Sequence, residues 1–190
     1  MGEALALLEL DSVAGGLSAL DALVKRAPVT ILEANLVEPG KFLLLFGGGV
    51  AEVTECHSLV IDVYAEQVLS EMFLPMVHSD LLDGLRGVEY REEPDTLGVV
   101  EGTDVASTLK AADRALKDAD VRLCGIRLAI GLGGRAYFVV CGLQHDIEAS
   151  IAAARSVLEP VGRMHRTEVI PRPHAEMVPW LLRTAPFQVG

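Results

Sequence analysis

One unit of roughly ninety residues occurs twice in this chain, and that repeat limits its architecture more than any other feature. Setting Ala4–Leu36 against Thr96–Leu128, at an offset of 92, leaves eleven of 33 positions identical. Ordinary composition gives about two or three by chance. The pairs are Leu5/Leu97, Glu9/Glu101, Val13/Val105, Ala14/Ala106, Leu17/Leu109, Ala19/Ala111, Asp21/Asp113, Lys25/Lys117, Ala27/Ala119, Val29/Val121 and Leu36/Leu128. The register then slips by two, so that Gly40-Lys41 aligns with Gly134-Arg135, Gly48 with Gly142 and Glu52-Val53 with Asp146-Ile147. Near the end of each copy, Leu74-Pro75-Met76-Val77-His78 aligns with Ile170-Pro171-Arg172-Pro173-His174. The copies are joined at Gly87–Asp95, a charged stretch containing Pro94, which suits a domain boundary and divides the chain at 1–90 and 91–190.

Both copies predict the same order of elements. In the first, Ala4–Leu10 is an apolar strand, and Asp11 or Ser12 caps a helix with Val13, Leu17, Leu20, Leu23 and Val24 at helical spacing. Pro28 ends that helix. Strands follow at Val29–Leu36 and Lys41–Phe46, separated by a Val37–Gly40 turn. A second helix is marked by Val53, Cys56, Leu59, Val60 and Val63, a fourth strand spans Val68–Pro75, and Ser79–Leu85 closes the unit as a short helix. The second copy repeats this at Thr96–Gly102, Asp104–Lys117, Val121–Ala129, Arg135–Cys141, Ile147–Leu158, His165–Pro171 and His174–Leu182. The order β-α-β-β-α-β predicts an α+β, ferredoxin-like split-βαβ unit, in tandem. That fold hosts many activities, so function has to come from particular residues.

Composition removes several classes. Hydrophobic residues make up 51% of the 190, enough for a packed core and too many for a disordered chain. The net charge is −11, which argues against nucleic acid, since phosphate binding needs a Lys/Arg surface. Mean hydropathy is high at +0.36. No apolar run approaches the ~18 residues of a membrane span, so the excess points to subunit contacts. The N-terminal stretch carries Glu3 and Glu9 and no basic region, unlike a signal peptide, and Ala6 stands where a myristoylation signal has Ser or Thr. Cys56, Cys124 and Cys141 are widely spaced and odd in number, as expected of reduced, packed thiols.

The chemical motifs are sparse. Gly47-Gly48-Gly49 sits between a strand and a helix, where phosphate loops occur, but no Walker lysine or Gly-x-Gly-x-x-Gly completes it, and the second copy reads Cys141-Gly142-Leu143. The five histidines form no i,i+4 pair of metal-ligand type, and no Gly-x-Ser-x-Gly elbow frames a nucleophile. No metal site and no catalytic set are predicted. Ile130-Gly131-Leu132-Gly133-Gly134 lies between two strands, opposite Val37-Glu38-Pro39-Gly40 in the other copy, as turns whose backbone can approach a neighbour closely. Lys25 and Lys117 share one position at the C-terminal end of a helix, where they compensate the helix dipole or face another subunit. Two prolines hold Arg172 on a stiff mount, suited to hydrogen bonding across an interface.

Taken together, six segments resemble the tandem-domain shell proteins of bacterial microcompartments, most closely the propanediol-utilisation type with its domains in unpermuted order. They are Ala4–Leu10, Ala22–Pro28, Pro39–Leu45, Ala111–Lys117, Ile130–Arg135 and Val169–His174. The resemblance covers essentially the whole chain. It implies a bacterial cytoplasmic location in a compartment shell and a homotrimer that imitates a hexamer. Such discs tile with other shell proteins around enclosed enzymes, and small metabolites pass a central pore. It places Val37, Glu38, Pro39, Gly40, Ile130, Gly131, Leu132 and Gly133 at the pore, and Lys25, Lys117, Arg172 and His174 at the tiling edge. Met76 replaces the edge arginine in the first copy. Members of that type carry a cysteine immediately before Pro-Gly-Lys, and three of these hold an iron–sulfur cluster on the three-fold axis. Here that residue is Glu38, so no cofactor is expected.

Two further readings compete with a non-enzymatic shell protein. A ferredoxin-like regulatory trimer would bind a small molecule between subunits and show a ligand-dependent melting temperature. An enzyme would use Glu38 as a base or metal ligand on the trimer axis.

Overall fold

The computed structural model describes residues 3–88, 94–177, 179 and 187. The first copy contains β1 (Ala4–Leu10), α1 (Val13–Arg26), β2 (Thr30–Val37), β3 (Lys41–Gly48), α2 (Val50–Val63) and β4 (Val68–Leu74). After α3 (Ser79–Leu85), the second contains β5 (Thr96–Gly102), α4 (Val105–Asp118), β6 (Arg122–Leu128), β7 (Ala136–Gly142), α5 (Gln144–Leu158) and β8 (Met164–Pro171). Each copy forms a four-stranded sheet, ordered β2-β3-β1-β4 and β6-β7-β5-β8, with antiparallel neighbours throughout. The tandem α+β architecture expected from the sequence is therefore the one observed. Among the described residues no helix is long and apolar enough to cross a membrane.

The helices begin where the caps demand. Ser12, not Asp11, caps α1: its Oγ accepts the Gly15 N–H at 3.0 Å. In the second copy Asp104 Oδ1 accepts the Ser107 N–H at 2.7 Å. In the first unit, alternate residues of β1 (Ala4, Ala6, Leu8 and Leu10) pack with Leu44 and Phe46 of β3. Ala19 and Leu23 of α1 and Val53, Cys56 and Val60 of α2 complete that core. The intervening residues Leu5, Leu7, Leu43 and Leu45 are buried as well, which is why β1 and β3 read as continuous apolar runs rather than alternating ones.

The compact units are residues 1–77 and 78–190, against a sequence-based boundary at 90/91. The difference lies in α3, which the repeat assigns to the first unit. Its apolar residues Leu81, Leu82 and Leu85 are buried. Gly84 lies against β6, so closely that a Cβ there would come within 2.5 Å of Leu123 Cδ2. Asp80 Oδ2 pairs with Arg122 Nε at 2.6 Å. The helix follows its apolar face and one ion pair onto the second sheet. Residues 89–93 of the expected linker lie outside the described residues, as do residues 178 and 180–182 of the helix expected over His174–Leu182. Within that segment, His174–Met177 forms a hydrogen-bonded turn, Met177 N–H to His174 O at 2.8 Å.

Candidate functional site: inter-strand turns and helix ends

The β2–β3 turn is short. Val37 is buried at the end of β2, while Glu38, Pro39 and Gly40 are exposed, and Gly40 N–H donates to Val37 O at 3.1 Å. The Glu38–Pro39 peptide is cis. Gly40 has φ of +85°, a left-handed conformation that glycine adopts without steric cost. The equivalent β6–β7 loop holds the two extra residues that make the register slip in the sequence. It is held by Ala129 N–H to Arg135 O at 2.8 Å and Leu132 N–H to Ala129 O at 3.0 Å. Gly131 and Gly133 are exposed with φ of +74° and +63°, and Ile130 and Leu132 are half-buried. The first turn thus presents one carboxylate on a tight frame, and the second presents backbone amides and carbonyls.

The turn is unlike a thiolate site. Cys56 lies in α2, Cys124 in β6 and Cys141 in β7, all three buried and none in the turn. Burial pushes the Cys56 thiol up. A hydrogen bond with Cys141, together with burial, pushes Cys124 far up, so both stay protonated and poor as ligands. A carboxylate at position 38 supplies hard oxygen rather than the soft sulfur that iron–sulfur clusters require.

The expected edge residues fall on two kinds of element. Lys25 ends α1 and pairs with Asp21 one turn earlier at 2.6 Å; Lys117 ends α4 and pairs with Asp113 at 2.5 Å. Arg172 is exposed just beyond β8 with φ of +47°, its backbone N–H donating to Asp95 O at 2.8 Å. His174 is exposed, and its Nδ1 accepts the Glu176 N–H at 3.3 Å. Met76, in the place of Arg172, is exposed too.

Two constellations escaped the sequence reading. Asp113 is buried, and its Oδ1 accepts the backbone N–H of His78 at 2.8 Å while Oδ2 holds Lys117. The signal was present, since Asp21/Asp113 is one of the identical pairs, yet it was overshadowed by the lysines beside it. Glu9, only 1% exposed, pairs with Lys41 Nζ at 2.9 Å, and its other oxygen is buried without a hydrogen-bond partner among the described residues. Its counterpart Glu101 is half-buried and lies 3.8 Å from His165 Nε2, which in turn meets Arg135 at 3.2 Å.

Comparison with known proteins gives these turns and helix ends a setting. The BMC domain matches twice, over residues 4–77 and 96–173. The bacterial microcompartment shell protein PduT of Citrobacter freundii is 34% identical over 93% of this chain and 96% of its own length. The shell protein PduA of the same organism is 32% identical over 45% of this chain and 89% of its own, so one such protein corresponds to one copy of the repeat. The crystal structure of a microcompartment protein from Desulfitobacterium hafniense superposes with a TM-score of 0.87 at 34% identity, covering 93% of this chain and 98% of that one. With two matched domains and full-length similarity of this kind, the chain belongs to the BMC-domain family and is a structural shell protein of bacterial microcompartments.

Proposed function

We propose that three copies of this chain form a ring of six BMC domains that tiles into the shell and leaves a small-molecule passage at its centre. The observation that carries the reading is the duplicated unit with one strand order in both copies, since three such chains supply six wedges of one fold. Closed symmetric rings are the usual outcome of head-to-tail contacts. The turns Val37–Gly40 and Ile130–Gly133 line the passage. Lys25, Lys117 and Arg172, all exposed at helix or strand ends, contact neighbouring rings. Other shell proteins and enclosed enzymes are the partners in this reading, and the chain itself performs no catalysis and holds no cluster.

Light scattering tests the assembly: the expected mass is three times 20.3 kDa, and a stable monomer at micromolar concentration overturns it. Alanine at Lys25, Lys117 and Arg172 together leaves that mass unchanged and weakens sheet formation. Loss of the trimer would instead put these residues inside the ring.

Glu38 decides what passes. Three carboxylates converging on one axis repel one another, and the ring relieves the repulsion by splaying into solvent or by holding a cation. A negative constriction favours cations over anions and leaves neutral polar molecules least affected. The variant Glu38→Gln is expected to keep the trimer and the sheet while losing charge selectivity in a flux assay on assembled shells. Unchanged selectivity removes Glu38 from the passage.

A further inference from the structure

We propose that the α1–β2 face of the first unit is the docking surface for a second copy of this chain, which enters through His174–Met177 and donates the His174 backbone N–H to Asp21. The inference rests on the assembly reading above and names the contact that joins one copy to the next.

The second unit contains the template. His78 N–H donates to Asp113 Oδ1 at 2.8 Å, and the imidazole Nδ1 of His78 accepts the Asp80 N–H at 3.2 Å, starting α3. From there α3 runs over β6, where Gly84 lies against Leu123 and Ile126. Donor segment and acceptor face therefore recognise each other through one backbone hydrogen bond to a carboxylate and one apolar contact.

Both halves of this arrangement recur without being joined. On the donor side, His174 Nδ1 accepts the Glu176 N–H at 3.3 Å, and Met177 N–H donates to His174 O at 2.8 Å. The same bonds occur at His78, where Leu81 N–H donates to His78 O at 3.1 Å. On the acceptor side, Asp21 sits one turn before Lys25 on α1 just as Asp113 precedes Lys117 on α4, and the ion pairs are 2.6 and 2.5 Å. Yet the Asp113 side chain is 6% exposed and that of Asp21 is 63% exposed. Among the described residues, Lys25 is the only partner of the Asp21 carboxylate. Around it, Leu17, Val24 and Leu36 are exposed, whereas their counterparts Leu109, Leu116 and Leu128 are buried. An apolar face with a carboxylate at its middle, matched to a turn already folded to meet it, takes a second copy of the same chain. Lys117 keeps 40% exposure in the template, so Lys25 remains available at the ring edge when Asp21 is covered. His174 moves from the tiling role expected from sequence to a contact within the ring.

The test uses the full chain with Asp21→Cys and His174→Cys combined, treated with a short bismaleimide. The native cysteines are buried and stay unlabelled. The expected result is a covalent ladder at two and three chain masses on a denaturing gel, with none from either single variant. As a control, His78→Cys with Asp113→Cys links within one chain. No ladder from an assembly that still scatters as a trimer overturns the contact and leaves the assembly reading intact. A wild-type monomer overturns both. Independently, Asp21→Ala is expected to raise the concentration for half-dissociation by about tenfold or more, as loss of a hydrogen bond to a charged acceptor does. Asp21→Asn keeps an acceptor oxygen and should cost less. An unchanged value for Asp21→Ala likewise overturns the contact.

Discussion

Leu17 and Leu109 are the same residue at the same place in the two copies, yet Leu17 is 53% exposed and Leu109 has no exposed surface. Leu36 and Leu128 repeat the contrast, at 53% and 0%. A shared ancestral pattern thus fixes the backbone of each unit but not the surroundings of each face. β6 carries α3 across it, whereas the residues of β2 stay largely half-buried. The interiors have diverged as well. In the first unit Gly16 leaves room for the Phe42 ring; in the second, Gly102 leaves room for Thr108, and Ala136 occupies the place of Phe42. The glycine has moved from helix to strand and the side chain it makes room for from strand to helix, so each core is packed in its own way.

The largest expected effect separates the units electrostatically. Lys41→Met leaves the Glu9 carboxylate buried without its ion pair, and its second oxygen already has no partner among the described residues. Removing one member of a buried pair costs about 3–5 kcal/mol, and the half-open side of Lys41 places this one near the lower figure. The counterpart variant Arg135→Met removes an exposed side chain from a loose Glu101–His165–Arg135 cluster and should cost under about 1 kcal/mol. Urea unfolding of the two variants reads the difference directly. Equal losses would mean that the identical glutamates are energetically equivalent despite their unequal burial.

A smaller effect tests the packing exchange. A Cβ on Gly16 would lie 2.3–2.5 Å from Phe42 Cδ1, Cγ and Cβ, and no rotamer change moves that Cβ away. Gly16→Ala is therefore expected to destabilise the first unit by about 1–3 kcal/mol, less up to about 1 kcal/mol from better helix propensity. Adding Phe42→Gly, which removes all three of those atoms, should relieve the clash, so the double variant loses less than the sum of its parts. In the second unit, Gly102→Ala meets Thr108 Oγ1, and Thr108→Gly is the relieving partner. Simple additivity in both cycles would show that these contacts do not limit the packing of either core.

The sequence was most informative where periodicity and turn chemistry act locally. β1 and β5 fall on the expected residues, and the other elements up to β8 within a few residues of theirs, because glycine, proline and capping side chains end them; the helix expected over His174–Leu182 begins instead as a turn. Leu17 and Val24 share the apolar spacing of α1 with the buried Leu23 yet are exposed, since spacing does not distinguish a face that packs inward from one that does not. α3 was assigned by repeat register to the first unit, and no local signal says that a seven-residue helix will pack on the following sheet. Asp113 was legible as a repeated residue but not as a buried acceptor, because its role depends on the His78 N–H, 35 residues away. The turns at Val37–Gly40 and Ile130–Gly133 were legible as turns; what they face is set by other copies of the chain.

The smallest expected effect is a pH dependence confined to the first unit. Glu33 lies on β2, and burial raises its carboxyl above the ordinary value, with a hydrogen bond from the Ala34 N–H pulling partly the other way. A raised carboxyl pKa means that the folded chain holds the proton more tightly than the unfolded chain does. The associated stabilisation is complete below the ordinary carboxylate range and is lost as pH rises through the raised value. Near neutral pH the ionised side chain is consequently a burden on the fold. Removing that ionisation with Glu33→Gln is expected to raise Tm at pH 7 by a small amount, on the order of 1 °C, because the group is only partly buried. The difference should shrink towards zero as pH falls to about 4, where wild-type Glu33 is itself protonated. The second unit has Gly125 at this position, so it supplies no matching titration. Melting curves of wild type and variant across that range test the assignment. A gap that stays constant with pH would trace the gain to strand propensity rather than charge, and a gap that widens on acidification would reverse the sign of the argument.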